Sequence, residues 1–160
     1  MTQENALRLL EDPVAHELLQ SKIPARLAYT ALDGAPHVVP IWFHWTGQEF
    51  VLGSASNSPK VKALGKNSKV ALTIDQDSFP PKVVLVRGTA KVVVIEGVVP
   101  EYLKSARRYL GEEQGAAWEE QARGMFKQMA RIAIRPDWVK ILDFQTRFPK
   151  AIEEAAAGAS

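Results

Sequence analysis

The stretch "HVVPIWFHWTGQEFVLGS" (His37–Ser54) reads as two β-strands joined by a tight turn. β-Branched and aromatic residues fill His37–Trp45, Thr46-Gly47 marks the turn, and Glu49–Ser54 returns as a strand. Upstream, "ARLAYTA" (Ala25–Ala31) is bounded by Asp33-Gly34 and adds a strand before them. Three strands with short connections predict an antiparallel meander. Downstream, "KVALTID" (Lys69–Asp75) reads as a fourth strand. After the loop "QDSFPP" comes a long fifth, "KVVLVRGTAKVVVIEG" (Lys82–Gly97), bent at Gly88, where a missing side chain permits a bulge. Strand character returns on either side of Pro136 in "RIAIRPDWVKILDF".

Helices occupy the remainder. Asp12-Pro13 is a cap and first-turn signal. Pro100 opens "PEYLKSARRYL", which stops at Gly111, and "GAAWEEQARGMFKQMA" continues with Trp118, Met125, Phe126 and Met129 as apolar candidates. The expected fold is therefore β-rich α+β: about six antiparallel strands in a closed or nearly closed barrel with peripheral helices. Closure also removes the exposed edges that so much valine and isoleucine would otherwise present. Residues 1–150 form one expected domain, and 151–160, small and acidic, are expected to be a flexible tail.

Composition narrows the chemistry. Cysteine is absent, which excludes disulfides and thiolate metal sites. The N-terminus has no secretory pattern and no apolar run approaches a bilayer span, so the expectation is a cytoplasmic protein without a membrane partner. A net charge of +2 argues against nucleic acid as a partner. The charge is nevertheless uneven: no acidic residue falls between Glu49 and Asp75, while Lys60, Lys62, Lys66 and Lys69 do.

That excess surrounds "SASNSPKVKAL" (Ser54–Leu64). Ser58-Pro59 is a helix start, Val61 and Leu64 share an apolar face, and Gly65 is placed to end the helix. Lys60 sits in the first turn, where the helix dipole disfavours a cation unless an anion is bound there. Helical side chains lean toward the N-terminus, which aims Lys60 at the hydroxyl-rich loop; Lys62 faces elsewhere and is secondary. A plain cap with solvated lysines explains the same residues, and no glycine-rich phosphate loop is present.

Other candidates have bland readings. His37 and His44, seven apart on one expected strand, fall on opposite faces and share no metal. Asp75 and Asp77 lack the glutamate of a calcium loop at the twelfth position, which is Val86. Trp42, Phe43 and Trp45 are core or interface candidates, and Val92, Val94 and Ile95 are core. Arg107 and Arg108 read as solvated helix surface, or as cations meeting an anionic cofactor tail. No hydrolase or zinc-protease motif appears.

The order and spacing of "VVPIWF", "SPKVKAL", "NSKVALTID" and "VVLVRGTA" resemble the pyridoxamine 5′-phosphate oxidase-like split-barrel flavoproteins over Ile23–Val94, and "RIAIRPDWVKILDF" resembles their closing strands. The resemblance implies a six-stranded split β-barrel, a homodimer, and FMN held at the subunit interface. It implies that Lys60, supported by Lys62, binds the cofactor phosphate with Ser54 and Ser58. It implies that Val39, Pro40, Ile41 and Trp42 lie along the flavin ring, and that Trp138 approaches the flavin of the other subunit. Two features depart from true pyridoxamine phosphate oxidases: Val83 stands where they carry a flavin-contacting glutamine, and their arginine-rich C-terminal motif is missing. The implied function is an FMN-dependent oxidoreductase acting on a small organic substrate. A deazaflavin-dependent reductase of the same fold, or a non-catalytic electron-transfer flavoprotein, are the alternatives.

Overall fold

The structure is a computed structural model describing residues 1–159. Its strands are β1 (Ala25–Thr30), β2 (Pro36–Ile41), β3 (His44–Trp45), β4 (Phe50–Ala55), β5 (Lys69–Asp75), β6 (Lys82–Glu96) and β7 (Gln128–Asp143). Its helices are α1 (Gln3–Leu9), α2 (Pro13–Leu19), α3 (Pro59–Lys66), α4 (Pro100–Leu110), α5 (Glu112–Met125) and α6 (Lys150–Gly158). The seven strands form one sheet in the order β2-β1-β5-β6-β7-β4-β3. All pairings are antiparallel. The expected β-rich α+β class holds, with seven strands in place of six.

The additional strand arises because His37–Trp45 is not continuous. It breaks at Trp42–Phe43, and its halves lie at opposite edges of the sheet. Three residue steps from Ile41 to His44 reach at most about 11 Å. Seven flat strands spaced about 4.8 Å apart would separate the same edges by about 29 Å. The sheet must roll until its edges adjoin, yet β2 and β3 do not pair. The barrel is split rather than closed. His37 and His44 consequently sit on different edge strands, not on two faces of one.

The interior fills from both sides of the roll. Leu27, Phe43, Phe50, Leu52, Ile74 and Val84 pack with Leu18 and Leu19 of α2 and Leu64 of α3 in one cluster. A second cluster, with Val51, Val99, Leu103, Ala122 and Met129, lies beneath α4 and α5. Strand β4 is thus buried on both faces, which explains its unbroken apolar run. Val94, expected in the core, is 49% exposed near the end of β6.

The long β6–β7 ladder bends where predicted. Its register shifts between Arg87 and Gly88, with Gly88 facing Pro136 and Asp137 left over. A Cβ on Gly88 would lie 2.5 Å from the Arg135 carbonyl oxygen, so only glycine admits this approach. Proline has no donor for the ladder and is tolerated at such a bulge. Asp12 caps α2 as read, its carboxylate accepting from Val14 N–H at 2.9 Å. Gly65 does not end α3; the helix runs through Lys66 and Gly65 has no positive φ. Of the segment expected as a flexible tail, the residues through Gly158 belong to α6, which buries no residue, and Ser160 lies outside the described residues.

Splitting the barrel orphans backbone groups, and α4 satisfies them. Arg108 donates to the Phe43 carbonyl at 2.6 Å and to the Ser21 carbonyl at 3.0 Å, while the Tyr109 hydroxyl donates to the Ile23 carbonyl at 3.1 Å. The Arg108 guanidinium also lies 4.7 Å over the Phe43 ring. Arg107 is held by Glu112 and Glu119. Both arginines are therefore structural, and neither is left to meet a cofactor tail. Arg108→Met should lower stability by about 1.5–3 kcal/mol, the usual value of hydrogen bonds from a charged donor. A urea melt checks this; an unchanged midpoint would show that the clamp contributes nothing.

Candidate functional site

The segment from Gly53 to Lys60 leaves β4, makes one turn and enters α3. Ser58 N–H donates to the Ala55 carbonyl at 3.0 Å, closing the turn, and Pro59 takes the first helical position. Ser58 has the extended backbone of an N-cap but makes no side-chain cap bond. Instead Lys60 Nζ reaches back, donating to Ser54 Oγ at 3.2 Å and Ser58 Oγ at 3.4 Å. Among the described residues no carboxylate pairs with Lys60. Burial pushes its pKa below the ordinary 10.5. A half-buried ammonium held only by neutral hydroxyls is an incomplete arrangement that an oxyanion would complete. Lys62 is exposed and turned away from this corner.

Strand β2 passes beside the same turn. At its beginning, His37 lines a cavity of about 270 Å³ with Tyr29, Pro59 and Ala63. At its end, Pro40, Ile41 and Trp42 line a cavity of about 400 Å³ with Pro24, Gly53 and Tyr102. The structure thus brings Pro40, Ile41 and Trp42 to one cavity with Gly53, the residue before Ser54, while Ser54, Ser58 and Lys60 meet at the turn that follows. Val39 and Ile41, two apart and so on one face of β2, both pack against the core, and Ile41 also reaches the cavity. Trp138 lies elsewhere in this chain, beneath the Arg87 guanidinium at 4.3 Å, in a cavity with Val38 and Ala71.

Helix α4 supplies a wall that sequence reasoning missed. Tyr102 rests on Gly53, where an added Cβ would come within 2.8 Å of the Tyr102 Cβ and 3.0 Å of its ring. Trp118 donates its indole N–H to the Tyr102 hydroxyl at 3.0 Å, fixing the ring. Burial raises the Tyr102 pKa above 10.0, so the phenol stays neutral. Trp42 stacks on Tyr109 with ring centroids 5.2 Å apart and lies 6.0 Å from Tyr102. The available signal was Gly53 itself, an isolated glycine in a strand, which marks close approach by another group. His44 is kept toward its neutral form by burial and by Lys104 and Arg108. Among the described residues no group of three or more histidines and carboxylates could hold a metal, and no helix is long and apolar enough to cross a membrane.

The family model described as pyridoxamine 5′-phosphate oxidase matches residues 12–143. The chain belongs to this family. Solved structures with the same fold carry varied names. An F420 reductase is 23% identical with a TM-score of 0.62, covering 78% of this chain and 94% of its own. A FAD-binding protein from Mesorhizobium loti is 18% identical, TM-score 0.53, with 79% and 87% covered. The heme storage protein HutZ from Vibrio cholerae is 15% identical, TM-score 0.59, with 81% and 93% covered. These likenesses establish the split-barrel fold. No curated protein sequence gives a significant match.

The lowered Lys60 pKa has a pH signature. The unfolded chain holds this proton more tightly than the folded one, so charged Lys60 opposes folding below its folded pKa. That penalty disappears as pH rises from the folded value toward 10.5. The stability of wild type relative to Lys60→Met should therefore increase with pH across this window, measured by paired denaturation curves. A pH-independent difference would show that Lys60 is solvated like any surface lysine.

Proposed function

We propose that the chain binds the phosphate of a flavin-type cofactor, FMN or a deazaflavin, at Ser54, Ser58 and Lys60, and that it is an oxidoreductase acting on a small organic substrate. The observation that carries this reading is Lys60, a half-buried cation bonded only to hydroxyls, on the turn that follows Gly53, which lines the cavity at the end of β2. Membership in the pyridoxamine 5′-phosphate oxidase family and the likeness to flavin and deazaflavin proteins support it. When bound, such a cofactor supplies the hydride or electron chemistry, and the protein supplies position and electrostatics.

The chain's own residues divide that work. Lys60 and the two hydroxyls neutralise and orient the phosphate, with Lys62 adding long-range attraction. Pro40, Ile41 and Trp42 give an apolar wall for a planar ring, and Tyr102 with Trp42 limits water at that wall. Val39 backs the strand from the core. No residue here is an evident proton donor for a vitamin B6 substrate, in line with Val83 and the missing arginine-rich C-terminus.

Affinity for FMN or deazaflavin, followed by fluorescence titration, should fall about 10- to 100-fold in Lys60→Ala, the loss of one charge-assisted contact. Riboflavin, lacking the phosphate, should bind both proteins alike. Equal FMN affinity in the two proteins would refute the site. The absorbance spectrum of cofactor retained by native protein distinguishes FMN from deazaflavin, and multiple turnover separates an enzyme from an electron carrier.

A homodimer belongs to the same proposal. Ala28, Val38, Ala71, Leu85 and Trp138 share the sheet face opposite the helix-packed core and line an apolar cavity of about 310 Å³. Val38 is 65% exposed there. A second copy covering this face would bury it and bring Trp138 toward the partner's cofactor. Val38→Asp should shift the chain toward monomer in light scattering at matched concentration, without unfolding it.

A further inference from the structure

The Lys60 corner holds more donors than its own hydrogen bonds use. Ser54 Oγ and Ser58 Oγ each accept from Lys60 Nζ, and neither hydroxyl proton meets an acceptor among the described residues. Ser54 is 7% exposed, so little water reaches it. An oxyanion seated here would accept from both hydroxyls as well as from Nζ. The hydroxyls keep such an anion in place when Nζ gives up a proton.

Lys60 also differs from the other lysines of this segment. Lys62, Lys66 and Lys69 are exposed, whereas Lys60 is half-buried. Among the described residues no carboxylate pairs with Nζ to hold its proton, and burial pushes its pKa below the ordinary 10.5. The neutral amine is the nucleophilic form of lysine, and desolvation raises its share. The corner thus sets a nucleophilic nitrogen 3.2 and 3.4 Å from two hydroxyls that can donate to an anion.

One reagent class matches that pairing. In an acyl phosphate the electrophilic carbonyl carbon is a single bridging oxygen away from phosphorus. A phosphate group bonded to the two hydroxyls therefore carries that carbon to Nζ, and proximity favours attack. Ordinary phosphate esters bind in the same way but present no carbonyl there.

We propose that Lys60 is a site of acylation by acyl phosphates, and that the modification governs cofactor occupancy of the corner. The proposal rests on the phosphate reading of Ser54, Ser58 and Lys60. Neutral Nζ attacks the carbonyl carbon, the C–N bond forms, and the C–O bond to phosphate breaks. Inorganic phosphate departs with the electron pair of that bond and takes up the proton that Nζ sheds. The amide that remains carries no charge and no longer attracts a cofactor phosphate. Cofactor and acyl donor exclude each other, because both need the same two hydroxyls.

The test is incubation of the cofactor-free protein with acetyl phosphate, with acetylation of each lysine followed by peptide mass spectrometry. FMN affinity is titrated on the same protein. Lys60 should be acetylated about tenfold faster than Lys62 or Lys66, the enrichment that one charge-assisted contact gives. Inorganic phosphate or FMN should slow the reaction at Lys60 alone. Ser58→Ala should slow Lys60 more with acetyl phosphate than with p-nitrophenyl acetate, a donor without phosphate. Protein acetylated at Lys60 should lose FMN affinity as Lys60→Ala does. Equal rates at Lys60 and Lys62, or a Lys60 preference that survives both excess inorganic phosphate and Ser58→Ala, would overturn the proposal. So would acetylated protein that binds FMN as before. Lys60-dependent FMN binding by the unmodified protein would still leave the phosphate site standing. Failure of FMN to bind, with no protection by inorganic phosphate, would remove the phosphate reading as well.

Discussion

The two-residue connection Trp42–Phe43 constrains everything else in this fold. It joins strands at opposite edges of a seven-stranded sheet, and a chain that short cannot reach across a flat one. Rolling the sheet brings Phe43 inward, fully buried against Phe50, and leaves Trp42 outside for Tyr109 to stack upon. The connection cannot also pair as a strand, so the Phe43 carbonyl needs another donor, and Arg108 provides it. Helix α4 is therefore both the clamp of the split and the wall of the cavity beside it. Scaffold and candidate site share one cause.

The corner at Lys60 follows a different logic. Each of its parts could have been arranged for stability: Ser58 could cap α3, and Lys60 could extend into solvent. Neither does so. The lysine is drawn back into partial burial against two hydroxyls, at an electrostatic cost visible in its lowered pKa. Local rules broken without local compensation are what a binding site does to a fold. The turn between Ser54 and Ser58 concentrates this, with Lys60 drawn to both of its ends and a cavity along Ala55–Asn57.

Legibility varied with the range of the interaction responsible. Strand β5 begins and ends where its alternation does, and the Asp12 cap and the Gly88 bulge are set by neighbours in sequence or by a missing Cβ. The aim of Lys60 was readable because helix geometry alone tilts a first-turn side chain backward. The break in His37–Trp45 was not readable, because β-propensity is uniform across it and only the rolled sheet separates its halves. Arg107 and Arg108 look alike in sequence. One pairs with glutamates on the next helix, and the other crosses the molecule to carbonyls at Ser21 and Phe43. Gly53 carried a signal of close approach, but nothing local named Tyr102 as the group approaching.

The sequence by itself determined the strand-rich class, the helix start at Ser58-Pro59, and a lysine turned toward hydroxyls. These depend on propensities and periodicities that act within a few residues. Tertiary structure decided where the barrel splits, which arginine became a clamp, and which residues after β1 line the cavity against Gly53 and Tyr102. It also decided that Trp138 stands apart from the Lys60 corner within its own chain. Those outcomes depend on how far a short connection can reach and on which backbone groups the roll leaves unpaired, and neither is set until the whole sheet has formed.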